Sequence, residues 1–502
     1  MTQFVQKAQL HSRQQSKLQP HIKGYLHISV ALMMGLAILF GLNPTHGLTA
    51  EGVSLLAIVI PTIYMWLFVN THWVSLLFLA LLIKTGIMTP NQVWAGSLGH
   101  FAIMLVLTFS ILSESLNETG TIQKIANWFI TRKFVQGRPY AFMAMFFASN
   151  IVIGIFMQNL ALAVMYIALT AQICENIGIK KGDTLYNCFM MGVFWGNGVL
   201  SIASPIAKSL PNILIGLVYT SFGIEITYAQ WFMFGMPFAF ISFLLIMLCI
   251  RLINPNTDVL KNFDIEAVKE KEKPLSLRGI FTLMGMMALI LIILLPEIFL
   301  FFNVFVEFSS FLIRMGPTVP AILIIVTLSL IHVSENDRPT PVLDFSQMAK
   351  KVPINLLLFV SAVVIMGTPL AAESSGVIPW MQAILAPMTN VLPPYLLFAA
   401  LIIIAVIVTN FISNTVVVTI FVSLGAAILV DHPIGPVVFA IVAAFASCMA
   451  FITPSSTLTA PLYYGPEHAT VKGVLGMNIM FLLMATLLII AMTPLVVLVM
   501  GG

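Results

Sequence analysis

From Gly279 to Phe301 the chain runs 23 residues with Glu297 as its one charged side chain. At about 1.5 Å of rise per residue, a helix that long exceeds the ~30 Å hydrocarbon core of a bilayer. Comparable runs recur about eleven times along the 502 residues. Only 8% of residues are charged, against about 25% in a soluble domain. Lipid offers no partner for backbone N–H and C=O groups, so such runs must be helices that satisfy themselves. The expected fold class is an all-α polytopic membrane protein.

The expected spans lie near 26–43, 52–69, 71–87, 99–116 continuing to 131, 186–202 with 208–222, and 231–254. After them, 279–301, 303–331, 352–388, 434–452 with 458–464, and 474–500 follow. Segments 139–177 and 394–430 each divide into two arms of 15 to 18 residues around a polar centre, which suits a re-entrant hairpin. The order is then a tail at 1–25, a first helix plus first repeat at 26–254, a linker at 255–278 rich in Lys and Glu, and a second repeat at 279–502. Lys7, Arg13, Lys17 and Lys23 precede the first acidic residue, Glu51. With six spans before the linker and five after it, this basic tail, the linker and the Lys350–Lys351 loop share one side, which the positive-inside rule makes cytoplasmic.

The halves resemble each other. "NETGTIQKIANWF" from Asn117 matches "AESSGVIPWMQAI" from Ala372, and "FMQNLALAVMYIAL" from Phe156 matches "FISNTVVVTIFVSL" from Phe411. Asn159 and Asn414 are 255 residues apart, Gly120 and Gly376 are 256 apart, and "IASPIAKSLPN" from Ile202 pairs with "ITPSSTLTAPL" from Ile452. A repeat of five spans, an odd number, makes the second copy inverted, as in secondary transporters whose sites lie at the repeat interface.

Other chemistries find no support. The four cysteines stand singly, without metal or disulfide spacing. Neither H-E-x-x-H nor G-x-S-x-G occurs, so no enzyme is expected. The net charge of +4 follows the membrane and implies no nucleic acid partner. A passive anion channel would need a continuous lined pore rather than two closed hairpin tips.

In each half a polar island interrupts the hairpin and a Ser/Thr/Pro cluster interrupts a later span. Broken helices expose N-terminal N–H groups that attract anions; unwound carbonyls, Asn oxygens and hydroxyls suit an alkali cation. The plainer reading is that Ser and Thr join helices, but two equivalent islands, each with a matching break, favour a site. Lys208, a charge inside the membrane region about one turn after the Ser204-Pro205 break, is costly and usually functional. Three readings stand open for it: its ammonium replaces a sodium, meets a substrate carboxylate, or extends to an aqueous vestibule. Glu118 and Glu373, at equivalent repeat positions, mark aqueous ends of segments or bear on proton coupling.

These motifs resemble the divalent-anion/sodium symporter family within the ion-transporter superfamily, over roughly residues 50–500. The second S-N-T stands intact as Ser413-Asn414-Thr415; the first reads Gln158-Asn159-Leu160, and the T-P-P-N-like motifs read Ser204-Pro205-Ile206-Ala207 and Ser456-Thr457-Leu458-Thr459. The resemblance implies sodium-coupled symport of a small anion, most readily a dicarboxylate, by an elevator-type homodimer, with sodium as the coupling ion. Sulfate, citrate, proton coupling and exchange remain alternatives. It implies substrate contacts at Asn159, Ser204, Pro205, Ser413, Asn414, Thr415 and Thr457, with Lys208 added, and sodium contacts at Asn159, Ala203, Thr409, Ser413, Asn414 and Ser456. The short loops suggest a bacterial inner membrane, with lipid around the spans and the N-terminus cytoplasmic.

Overall fold

The computed structural model describes residues 24–206, 208–263, 274–335, 338–429, 433–454, 456–457, 459–464 and 468–500. Most of the expected tail, the centre of the linker, and Ala207, Ser455 and Leu458 of the quoted motifs lie outside them.

The described residues are mostly helical, with a β-hairpin in which His332–Glu335 pairs antiparallel with Arg338–Pro341. Among the described residues, seven helices are long and apolar enough to cross a membrane, and a bent pair makes eight. Eleven is reached by adding the 13-residue helix His72–Lys84 and two interrupted helices described below.

Three boundaries differ from expectation, each at a glycine. The segment expected to run from 99 to 131 ends its helix at Glu118, turns at Gly120 with φ +68°, and restarts at Thr121. The segment 352–388 divides in the same way: Ile354–Ala371, a short turn, Gly376 with φ +62°, then Val377–Val391. Glycine enters the left-handed region without a Cβ penalty, so it ends one helix and redirects the next. In 303–331, Val306–Met315 and Thr318–Leu330 meet at 82° across Gly316 and Pro317.

The described residues form two compact units, one drawn from the chain up to His100 and from Ile354–Pro387, the other from Phe101–Pro353 and Met388–Gly502. In the first, Trp66 sits edge-on against Phe359 with centroids 4.9 Å apart. Thr49 Oγ1 donates to the Ser374 carbonyl at 2.7 Å. The second unit holds both hairpins and both interrupted helices.

The first hairpin pairs Pro139–Gly154 with Asn159–Asn176; the second pairs Pro394–Thr409 with Asn414–Ile428. Each first arm opens on a proline at its first position, where the missing N–H is harmless. The tips share a conformation: Ile155 and Asn410 are helical, while Gln158 (φ −62°, ψ 142°) and Ser413 (φ −57°, ψ 132°) are extended. Aromatic packing joins the arms of the first hairpin, with Phe146 5.4 Å from Tyr166, and holds it to the helix Thr184–Ala203, with Phe146 5.2 Å from Phe189. Such pairs contribute about 0.5–1.5 kcal/mol each, which counts where lipid is as apolar as the core.

Candidate functional site

The first interrupted helix runs Thr184–Ala203, breaks, and resumes as Ser209–Phe222. The cause is local: Pro205 disfavours helical backbone at the residue before it, and Ser204 is extended at φ −116°, ψ 130°. The break is held from two sides. Trp231 Nε1 donates to the Ile202 carbonyl at 2.8 Å, and the Ala203 carbonyl lies against Gly235, where an added Cβ would come within 2.1 Å of it. On the other side Ser204 Oγ donates to the Ile155 carbonyl at the first hairpin tip, 3.2 Å away.

The second interrupted helix repeats this clasp. Thr453 Oγ1, just before Pro454, donates to the Asn410 carbonyl at the second tip. Asn410 and Ile155 are 255 residues apart, the offset that relates Asn414 to Asn159. Here the tip does more. Asn410 Oδ1 accepts from the backbone N–H of Phe451 (2.9 Å) and Ile452 (2.8 Å), while its Nδ2 donates to the Met449 (2.9 Å) and Val406 (2.7 Å) carbonyls. The helix expected to reach 452 therefore ends at Ser447, because one buried amide takes up the groups that would have continued it. Thr457 Oγ1 accepts from Ala460 N at 3.0 Å, just ahead of the short helix Ala460–Tyr463.

The two breaks meet. Gly198 approaches the Cys448 carbonyl and the Phe451 ring closely enough that a Cβ would sit 3.2 and 2.5 Å from them. Asn197 Nδ2 donates to the Asn159 carbonyl at 3.1 Å and reaches Tyr463 Oη at 3.5 Å. Asn478 accepts from Trp195 Nε1 at 2.8 Å and donates to the Phe451 carbonyl at 2.9 Å. The helix Ser209–Phe222 packs on the second hairpin's arm Asn414–Ile428, and Ala460–Tyr463 packs on the first hairpin's arm Asn159–Asn176. Each half's hairpin thus leans on the other half's broken helix.

The expected site residues divide between the tips. At the first, Gln158 is tied by its N–H to Ser113 Oγ and by Nε2 to Ser110 Oγ, both at 3.0 Å. Lys208, 2% exposed, donates to the Met157 carbonyl at 2.7 Å and to Asn159 Oδ1 at 2.5 Å. It does not extend to an aqueous vestibule. Pro205 offers its carbonyl to Asn212 Nδ2 at 2.9 Å. Ser204 meets this tip through the Ile155 carbonyl, and the Ala203 carbonyl lies against Gly235. At the second, Thr409 Oγ1 donates within reach of Asn414 Oδ1 (3.0 Å) and of the Ser447 carbonyl. Ser456 Oγ, fully buried, turns to the Ala450 and Thr453 carbonyls at 3.0 and 2.8 Å. Among the described residues the hydroxyls of Ser413 and Thr415 meet no hydrogen-bond partner, and both side chains are half-buried. The first tip is closed by Ser110, Ser113 and Lys208 from neighbouring elements; the second leaves oxygens available.

Sequence reasoning passed over Asn410, Asn197 and Asn478. Their one signal is an amide inside an apolar helix, which is uninformative without its distant partner. It also missed that Glu118 pairs with Arg278 (3.1 Å) and Lys351 (3.0 Å), and Glu114 with Lys351 (3.3 Å). Burial pulls the Lys351 ammonium down, but hydrogen bonds and charge from Glu118 and Glu114 outweigh it and hold it above the ordinary lysine value.

Paired hairpins clasped to paired broken helices, in a polytopic all-α chain, define a membrane transport protein rather than an enzyme. The family model of citrate transporters, CitMHS, matches residues 54–450, and the chain belongs to that family. Among relatives, the sodium-dependent dicarboxylate transporter SdcS of Staphylococcus saprophyticus is 22% identical over 445 residues, 85% of this chain and 82% of that one. The human Na(+)/dicarboxylate cotransporter 3 is 27% identical over 154 residues, 31% of this chain and 25% of its own length. The YdaH transporter of Alcanivorax borkumensis shares the fold, with a TM-score of 0.53 at 10% identity, covering 82% of this chain and 88% of that one.

Proposed function

We propose that the protein is a secondary active transporter that carries a small dicarboxylate or a related organic anion together with sodium. The observation that supports this best is the matched pair of clasps, Ser204 to Ile155 and Thr453 to Asn410, which brings two hairpin tips and two broken helices into one compact unit. Two relatives, a sodium-dependent dicarboxylate transporter and a Na(+)/dicarboxylate cotransporter, support the ion and the substrate class.

In this reading Ser413, Asn414 and Thr415 supply the oxygens for sodium and the anion at the second tip, with Thr409 orienting the Asn414 amide. First-turn N–H groups of the helices starting at Asn414 and Asn159 face the anion. The repeats are inverted, and the hairpins and broken helices move together as an elevator within each subunit of a homodimer. The N-terminus lies in the cytoplasm, and the membrane is a bacterial inner membrane. A clasped unit that moves as one body suits alternating access better than a fixed pore.

Uptake of labelled succinate and citrate into proteoliposomes, with sodium outside and choline inside, tests the proposal. Accumulation above the external concentration that collapses when the sodium gradient is removed is the expected result. Downhill flux alone would indicate a channel. Accumulation driven by a proton gradient or by internal anion, without sodium, would favour the altered coupling that Lys208 suggests.

A further inference from the structure

We infer that the Lys208 ammonium is a built-in cation, standing at the first hairpin tip in place of a sodium ion, so that the first half of the chain binds no sodium. The inference deepens the sodium-coupled reading above and rests on it for its functional meaning. Three observations carry it.

The ammonium's partners are the kind that hold an alkali ion. Nζ meets one main-chain carbonyl, Met157 O, and one amide oxygen, Asn159 Oδ1, both at the tip of the hairpin. Among the described residues no carboxylate stands within ion-pair distance of it. A buried ammonium on two neutral oxygens is held as a coordinated cation, not as half of a salt bridge.

The location is hostile to such a charge unless the charge has a use. Lys208 is 2% exposed and is the residue from which the helix Ser209–Phe222 starts. Burial disfavours the charged form, and a helix N-terminus disfavours a cation. The backbone is nevertheless fixed there: Asn212 Nδ2 donates to the Lys208 carbonyl at 2.6 Å, and Asn212 Oδ1 accepts from Tyr228 Oη. A rigidly mounted positive charge beside a helix N-terminus suits a site that must receive an anion.

The other half has the same scaffold without the charge. Asn414, the counterpart of Asn159, has Oδ1 facing the Thr409 hydroxyl, and the clasp there is followed by Thr457, a neutral residue. The second tip therefore still needs a mobile cation, whereas the first carries its own.

The test counts sodium ions rather than transport. Purified chain is equilibrated with radioactive sodium, with choline replacing sodium in controls, and bound ions per chain are compared for wild type and Lys208→Gln. The expected result is one more sodium per chain in the variant, with a melting temperature that now depends more steeply on sodium. A folded Lys208→Gln chain with the wild-type count and the wild-type sodium response overturns the inference. Should the variant be unstable, recovery of the fold in sodium but not in choline supports the inference, and equal loss in both salts overturns it. Because no anion is required, an extra ion in Lys208→Gln would stand even if wild type failed to accumulate dicarboxylates. That second failure would refute the transport reading alone.

Discussion

Asn410→Ala is the substitution that most directly probes the architecture. Asn410 is 1% exposed and its side chain makes four hydrogen bonds of 2.7–2.9 Å. Truncation leaves the N–H groups of Phe451 and Ile452 and the carbonyl of Met449 without this partner at a break where no helical bond replaces it. Each buried group so orphaned costs about 1–3 kcal/mol, so the three together predict a loss of at least about 3 kcal/mol. That is a large part of a typical folding margin of ~5–15 kcal/mol. The assay is thermal unfolding of the purified protein with dispersity measured in parallel, followed by uptake in proteoliposomes. The expected outcome is a melting point lower by several degrees and loss of uptake. Asn410→Asp separates the two faces of the network: it keeps the acceptor for Phe451 and Ile452 but sets a carboxylate against the two carbonyls, so it should be no better than alanine. An Asn410→Ala protein that melts and transports like wild type would show that the second break does not depend on this amide.

Thr415→Ala and Asn414→Ala should abolish sodium-dependent uptake; for Thr415, whose hydroxyl has no partner among the described residues, the folding stability should stay within about 0.5 kcal/mol of wild type by thermal unfolding. Gly235→Ala places a methyl 2.1 Å from the Ala203 carbonyl and should prevent recovery of folded protein, whereas Gly476→Ala, with open space around it, should behave as wild type by gel filtration. Lys351 has a raised folded-state value, so its stabilisation is complete below the ordinary lysine value of 10.5 and fades as pH climbs through the higher folded-state value. The melting-point gap between wild type and Lys351→Ala should accordingly be constant between neutral pH and the ordinary lysine value, close at strongly alkaline pH, and narrow in high salt.

The sequence made the class of fold plain because lipid permits few solutions for apolar runs of this length. The hairpins were legible too, since Asn159 and Asn414 share an offset with their flanking arms, and the Ser204-Pro205 and Thr453-Pro454 pairs mark breaks by a local steric rule. Hidden features share a different cause. Asn410 reaches groups about 40 residues onward, Lys208 reaches back about 50 to Met157, and Asn478 joins Trp195 to Phe451 across the halves; none of these pairings leaves a periodic trace. The grouping of the chain up to His100 with Ile354–Pro387 is hidden for the same reason. The hairpin at His332–Pro341 is too short and polar for hydropathy to distinguish it from a loop.

The reciprocal seating of hairpin and broken helix bears on how the chain is made. The arm Asn159–Asn176 rests on Ala460–Tyr463, which leaves the ribosome some 280 residues later. At about 5–20 residues per second the early half waits roughly 15–60 s for its counterpart, with the Lys208 ammonium already in the membrane and the Asn197 amide still short of Tyr463. Nascent chains arrested before residue 460 should therefore be far more open to proteases and quality-control factors than chains released a few dozen residues later, and gene fragments encoding either half alone should yield little stable protein.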